Sequence, residues 1–195
     1  MSGSSAGATS FLFRFLLCFL PVRSPARKVS TESDLYALSL RALTRRAYSI
    51  HEMRDYLGRR AENAELVSRV IARLREQKYL DDAKYALDYA RQHAKARRQG
   101  RFRIARELRG RGVPDQHIEA ALEAVFAEID ESALVRARLK RQLSHIRGSI
   151  GERKIASIYR SLLRAGFSSD VIRAELRGVT RGDLPEFSDV TPEEA

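Results

Sequence analysis

The chain has 195 residues, with 36 Lys and Arg against 25 Asp and Glu, a formal net charge of +11, 8% aromatic residues and no tryptophan. Such a composition argues against one deep globular core and for a thin, elongated one, while the charge points to a polyanionic or strongly acidic partner. A single cysteine, Cys18, excludes an internal disulfide and any cysteine-based zinc site.

Phe11 to Leu20 is apolar except for Arg14, far short of the roughly twenty residues a helix needs to span a bilayer. Met1 to Ser10 holds no Lys or Arg, and no small-x-small cleavage motif follows in Pro21-Val22-Arg23-Ser24-Pro25. Residues 1–30 therefore read as an N-terminal extension, disordered or following a mis-assigned start, and not as an export signal or a membrane span.

From Asp34 onward the apolar residues follow helical spacing, first as Tyr36, Leu40, Leu43 and Ala47. Ser49-Ile50-His51-Glu52 has the pattern of a capping box, in which the serine hydroxyl and the glutamate carboxylate satisfy free backbone N–H groups reciprocally. Met53 and Leu57 then face inward, and after a polar break at Glu62-Asn63 a third helix carries Leu66, Val67, Val70, Ile71 and Leu74. No segment alternates as a strand would.

The plan then recurs. Tyr36-Ala37-Leu38 returns as Tyr85-Ala86-Leu87. Ile104, Leu108, Val113, Ile118 and Leu122 have the same spacings as Ile158, Leu162, Phe167, Ile172 and Leu176. Met53, Leu57, Glu62, Val67 and Ile71 repeat them once more, with only Glu62 not apolar. Each window reads as helix, tight turn, helix, the bend carrying Gly110 to Pro114 or Gly166 to Ser169. Pro114 suits a first helical turn, and Ser168, Ser169 or Asp170 can cap its counterpart. A longer, more polar helix precedes each window: Ala86 to Arg98, and then Leu134, Leu139, Leu143 and Ile146. The expected fold is all-α, three tandem three-helix repeats over 34–80, 81–130 and 131–180 in an elongated, curved array. An acidic tail of residues 181–195 lacks apolar periodicity and is expected to be disordered.

Between positions 91 and 111, Arg91, Lys95, Arg97, Arg98, Arg101, Arg103, Arg106, Arg109 and Arg111 stand against one acid, Glu107. Arg91, Lys95 and Arg98 fall at i, i+4, i+7, while Arg101 and Arg103 flank Phe102. This reads as a stripe facing phosphates or an acidic protein groove, in preference to a merely solvated helix face. A second basic stretch, Arg136, Arg138, Lys140, Arg141 and Arg147, lies in the third unit. Arg91, Lys95, Arg97, Arg98, Arg101, Arg103, Arg136, Lys140 and Arg141 are the candidate partner- and phosphate-binding residues.

Asp81 and Asp82 diverge by about 100° on a helix and have no third acid spaced to join them, so they read as a cap or an inter-repeat contact and not as a metal or catalytic pair. His51, His93, His117 and His145 are scattered without metal-ligand spacing and are expected at the surface. Gly100, Gly110, Gly112, Gly148 and Gly151 read as helix stops and turns. Tyr85 and Tyr89 suit a core better than a base-stacking platform. No glycine-rich phosphate loop, nucleophile elbow or Ser-His-Asp arrangement is present, so neither a catalytic site nor a cofactor or metal site is expected.

Lys78-Tyr79-Leu80-Asp81-Asp82 with Tyr85-Ala86, then a basic helix, Gly100, Ile104, Glu107-Leu108 and Gly112-Val113, resembles the RecX family of regulatory proteins. The similarity runs from about Asp34 to Val179 and takes in Arg45, Arg46, Ser49, Glu52 and Leu57 upstream. The signature residues are Tyr79, Leu80, Asp81, Asp82, Tyr85 and Ala86. Departures are Lys78 where the family usually has glycine, Tyr85 where it has phenylalanine, and the N-terminal extension. The resemblance implies a cytoplasmic, non-enzymatic modulator of the RecA recombinase, built from tandem three-helix repeats. It further implies a protein that lies in the groove of the RecA filament on DNA and inhibits ATP hydrolysis, filament growth and strand exchange in recombination and repair. Weak, nonspecific contact with single- or double-stranded DNA and a monomeric state are expected with it. The alternative from pattern alone is a helix-turn-helix DNA-binding transcriptional regulator.

Overall fold

The computed structural model describes residues 28–144 and 151–180. The Phe11–Leu20 run, Cys18, His145, Ile146, Arg147, Gly148 and the acidic tail lie outside them. The described residues form nine helices and no strand. They are α1 (Glu32–Leu43), α2 (Ile50–Gly58), α3 (Ala64–Glu76), α4 (Asp82–Arg97), α5 (Arg101–Arg109), α6 (Asp115–Glu128), α7 (Glu131–Leu143), α8 (Glu152–Arg164) and α9 (Ser169–Thr180). The all-α fold class expected from periodicity holds.

Three apolar cores follow one another, each closed by three consecutive helices. The first gathers Leu35, Met53, Leu57, Val70 and Leu74. The second gathers Ala86, Ala90, Ile104, Leu108 and Ile118, and the third Val135, Leu139, Leu162, Phe167 and Ile172. The main helix–helix contacts all fall within these triplets, so burial is local to each unit.

The capping box is formed: Ser49 Oγ accepts from the Glu52 N–H at 3.0 Å, and the Glu52 carboxylate accepts from the Ser49 N–H at 3.3 Å. Asn63 caps α3 and Ser168 caps α9. Gly100 and Gly151 stand at helix starts, at N-cap positions, and not at the stops expected of them.

The face of α1 differs from expectation. Leu35, Ser39 and Ala42 are its buried residues, Tyr36, Leu40 and Leu43 only flank the core, and Ala47 is exposed beyond the helix end. A polar Ser39 in the middle of the buried stripe, its hydroxyl donating to the Tyr36 carbonyl at 2.6 Å, hides this phase from a hydrophobic pattern. Leu35, Ser39 and Ala42 match the buried Ala86, Ala90 and His93, 51 residues on. The packing register is therefore not the 49-residue echo of Tyr-Ala-Leu.

Glu62 fails the repeat pattern for a structural reason. It is exposed, and Ala61 takes the buried place. The second and third units turn through left-handed Gly112 and Gly166, after which Val113 and Phe167 donate back to the carbonyls of Leu108 and Leu162. The first unit has no such residue at its α2–α3 turn. There the segment before α1 closes the bend: Val29 donates to the Arg60 carbonyl at 2.7 Å and accepts from the Glu62 N–H at 2.9 Å.

Neighbouring units meet through the start of each unit's second helix. In the first, Ile50 N donates to Asp82 Oδ1 at 2.9 Å and Ser49 Oγ donates to the Arg111 carbonyl at 2.6 Å. In the second, Gly100 N donates to the Ala165 carbonyl at 2.8 Å and Phe102 N to the Gly166 carbonyl at 3.0 Å. N–H groups that no helix can satisfy internally thus find their acceptors in the following unit. Backbone approach at the second junction is so close that a Cβ on Gly100 would lie 2.1 Å from the Gly166 oxygen.

Candidate functional site

Asp81 Oδ1 accepts from the Ala83 and Lys84 N–H groups, which, the Lys84 bond first, hold its carboxyl below the usual carboxylate range. Asp82 is buried and turned the other way, onto α2. Leu80 and Ala86 are core residues and Tyr79 is exposed. The signature is therefore a start signal and an inter-unit clasp, with one aromatic left facing solvent.

Behind it, Glu52 gathers the first junction. Arg46 and Arg111 both pair with its carboxylate, at 3.0 and 2.9 Å, and the Tyr85 hydroxyl lies 3.4 Å away. Burial pushes the Glu52 carboxyl up, but the bonds from Arg46 and the Ser49 N–H and the charge of Arg111 outweigh it and leave it lowered. Glu107 repeats this inside the second unit. Burial again opposes, and the bonds from Arg103 and the Tyr89 hydroxyl prevail, so its carboxyl is also lowered. His93 belongs to the same cluster, 2.7 Å from Gln99 Oε1 and 3.3 Å from Glu107, and is only 5% exposed, so the surface position expected for it does not hold. Tyr85 and Tyr89 are half-buried with their hydroxyls engaged, which removes them as stacking platforms.

Much of the basic stripe is neutralised by acids, most of them from other helices. Arg91 faces Glu128 at 3.8 Å, Arg103 pairs with Glu107, Arg109 with Asp115 and Arg111 with Glu52. Arg136 pairs with Asp130 and Glu175. Arg101 lies over the Phe126 ring, 5.4 Å from its centroid. Nor do Arg91, Lys95 and Arg98 continue one face: α4 ends at Arg97, and Arg98 adopts a left-handed conformation with φ of 50°.

What remains is a cleft of about 410 Å³ lined by Ala96, Arg97, Arg98, Arg138 and Arg141, between the end of α4 and α7. Arg97, Arg98 and Arg141 are exposed and have no acid within 4.0 Å among the described residues. Arg138 Nη1 donates to the Arg98 carbonyl at 3.1 Å, while its Nε is buried with no hydrogen-bond partner among the described residues. Burial first, then the charges of Arg141 and Arg103, lower the Arg138 pKa, although an arginine stays charged regardless. A second cleft of about 530 Å³ adjoins through Arg141 and adds Lys154, Arg164, Ser157 and Ser161 from α8. Among the described residues, neither cleft is lined by an acidic side chain.

Helix α7 therefore divides the second basic stretch. Arg138 and Arg141 face the arginine cleft, whereas Arg136 and Lys140 line a groove against Glu175 of α9. Of the candidate residues, Arg97, Arg98 and Arg141 come together; Arg91, Arg101, Arg103, Arg136 and Lys140 lie elsewhere, and Lys95 is exposed on α4. Arg138 stands inside the basic stretch but is not distinguished there from Arg136. Nothing in the local pattern marks Lys154 or Arg164.

Residues 36–74 match the model of the first three-helix domain of RecX and residues 81–122 that of the second. Regulatory protein RecX of Deinococcus radiodurans is 35% identical over 80% of this chain and 74% of its own length. That of Trichlorobacter lovleyi is 34% identical over 72% of this chain and 92% of its own. The chain belongs to the RecX family. A crystal structure of regulatory protein RecX, 23% identical, superposes with a TM-score of 0.66 over 74% of this chain and 71% of its own, a likeness of fold. One wall of the arginine cleft thus belongs to the second RecX domain, and α7 supplies the other. Among the described residues no helix is long and apolar enough to cross a membrane, and no three acidic, histidine or cysteine side chains are grouped to hold a metal.

Proposed function

We propose that this RecX-family chain is a cytoplasmic, monomeric, non-enzymatic regulator of the RecA recombinase. It lies in the groove of the RecA filament on DNA and inhibits ATP hydrolysis, filament growth and strand exchange. The observation that carries the proposal is the arginine-lined cleft, an unneutralised cationic surface on a chain of net charge +11. A groove walled by acidic protein and DNA phosphate is its electrostatic complement. Tandem three-helix units supply length along such a groove without an active site.

Titration of the purified protein into preformed RecA filaments tests this, with DNA-dependent ATP hydrolysis followed and a DNA-only binding control beside it. Inhibition is expected, and Arg97→Glu/Arg141→Glu should relieve it by about tenfold in concentration, the loss of two charge-assisted contacts, with helical content unchanged. No inhibition by the wild-type protein, together with strong preference for one duplex site, would instead support the helix-turn-helix transcriptional regulator.

A further inference from the structure

We propose that the groove between α7 and α9 is the docking site for this chain's own acidic C-terminal segment, residues 181–195. The inference goes beyond the proposed function and does not depend on it.

The groove, of about 640 Å³, has an apolar floor of Leu139 and Leu143 under a rim of Arg136, Lys140, Glu175 and Gly178. Leu143 is half-buried at the end of α7, packed against the third core but not enclosed in it. Arg136 already serves Asp130 and Glu175, whereas Lys140 is exposed with no acid within 4.0 Å among the described residues. An apolar floor beside an unanswered ammonium is complementary to a ligand that sets an apolar side chain next to an acid.

The chain delivers such a ligand at that place. Glu131 stands beside the Ser168 N–H and Arg136 pairs with Glu175, so α7 and α9 run side by side in the same sense, and Gly178 in the last turn of α9 lines the groove. The segment begins directly after Thr180, where α9 ends, and its Gly182 and Pro185 oppose continuation of the helix. Residues 181–195 lack helical spacing but carry a threefold one: Asp183-Leu184, Glu186-Phe187 and Asp189-Val190 repeat an acid followed by an apolar residue. In an extended left-handed form with about three residues per turn, which Pro185 and Pro192 favour, Leu184, Phe187 and Val190 fall on one face with the acids along its edge. The apolar face then meets Leu139 and Leu143, and the carboxylates meet Lys140. Phe187 lies seven residues beyond Thr180, a reach of at most about 25 Å, and the groove from Arg136 to Ser144 is roughly 12 Å along α7. So short a tether gives an effective concentration of about millimolar, and individually weak contacts suffice. The other segment that adjoins the groove, residues 145–150, holds His145 and Arg147 and no acid, so it does not answer Lys140.

Zero-length carbodiimide cross-linking of the full chain alone, read by peptide mass spectrometry over a dilution series and paired with hydrogen exchange, is the test. Lys140 should join to Asp183, Glu186 or Asp189 with a yield independent of protein concentration. Leu184→Ser/Phe187→Ser alters only the segment and touches none of the three apolar cores, so the helices are retained. It should cut that cross-link about tenfold and speed exchange in the last turn of α7 by a similar factor, with exchange in α1 to α3 unchanged. Undiminished cross-linking in that variant would overturn apolar docking. A yield that falls on dilution would assign the groove to the segment of a second copy, and linkage to Lys154 in preference to Lys140 would place the segment at the arginine cleft. Absent linkage with unchanged exchange would leave the groove to another protein. Each of these three results overturns the proposal as well. No recombinase or DNA is present, so the outcome is separate from that of the filament ATP hydrolysis assay.

Discussion

Asp82 Oδ1 accepts a hydrogen bond from the backbone N–H of Ile50 at 2.9 Å, so the first residue of α4 caps the helix α2 that lies 32 residues earlier. Its counterpart at the next junction is Glu131, first residue of α7. Burial raises its carboxyl, opposed by the charge of Arg101 and by the backbone N–H groups of Arg101 and Ser168, at the starts of α5 and α9. At the second junction the carboxylate lies beside both helix starts, but its Oε1 is buried with no hydrogen-bond partner among the described residues, so only the first junction shows a closed cap.

Asp82→Ala should destabilise the chain by about 1–2 kcal/mol, because it strands a backbone donor of α2. Asp82→Asn keeps an oxygen at that position and should lose less than half as much. Urea melts give the magnitudes, and hydrogen exchange should show the loss concentrated at the start of α2. Equal losses for both variants would show that the clasp depends on charge and not on the hydrogen bond.

Lys78 follows α3 with φ of 59°, and its N–H and that of Tyr79 return to the carbonyls of Arg75 and Leu74. A side chain there pays the left-handed penalty that glycine avoids, so Lys78→Gly should stabilise by about 1 kcal/mol despite the greater freedom of glycine in the unfolded chain. Gly112→Ala should act oppositely. Its φ is also positive, and an added Cβ would lie 2.3 Å from the His51 ring, so a loss of about 2 kcal/mol or more is expected in thermal or urea unfolding. A stabilised Gly112→Ala would mean that the turn is not held against α2.

Gly100→Ala should disrupt the second junction by about 2–3 kcal/mol, since its Cβ would overlap the Gly166 backbone and cannot move as a flexible side chain would. Unfolding monitored by hydrogen exchange should then show the third unit opening before the second. Unchanged cooperativity would rule out this contact as the coupling between them.

Glu52 and Glu107 have folded pKa values below their ordinary value of 4.5. Their contribution to stability is therefore present above about pH 4.5 and is lost as pH falls through the folded values. Glu131 has the opposite sign: its pKa is raised above 4.5, so protonation favours the folded state as pH falls through its folded value. Acid should thus spare the second junction longer than the first. Glu52→Gln should remove part of the acid dependence seen in melts as a function of pH, and an unaltered pH profile in that variant would contradict the assignment.

Local signals were legible without coordinates. The capping box at Ser49 and Glu52, the Asp81 cap and the buried pairs Met53–Leu57, Val67–Ile71, Ile104–Leu108 and Leu108–Val113 depend on neighbours two to five residues apart, and such spacing is written directly in the chain. The all-α repeat fold follows from them. One failure is local and one is not: Ser39 is polar in a buried stripe, whereas Glu62 occupies a turn closed from 33 residues away by Val29 and not by a left-handed glycine.

Charge was legible only as a total. The order of residues makes the second and third units rich in arginine, but does not say which arginines are free to meet a partner. Arg111 is quenched by Glu52, 59 residues away, and Arg91 by Glu128, while Arg97 and Arg141, from helices in different units, are left side by side. An arginine's neutralisation depends on acids within a few ångströms in space, and those distances are set only when the units pack, which is what places the cationic cleft.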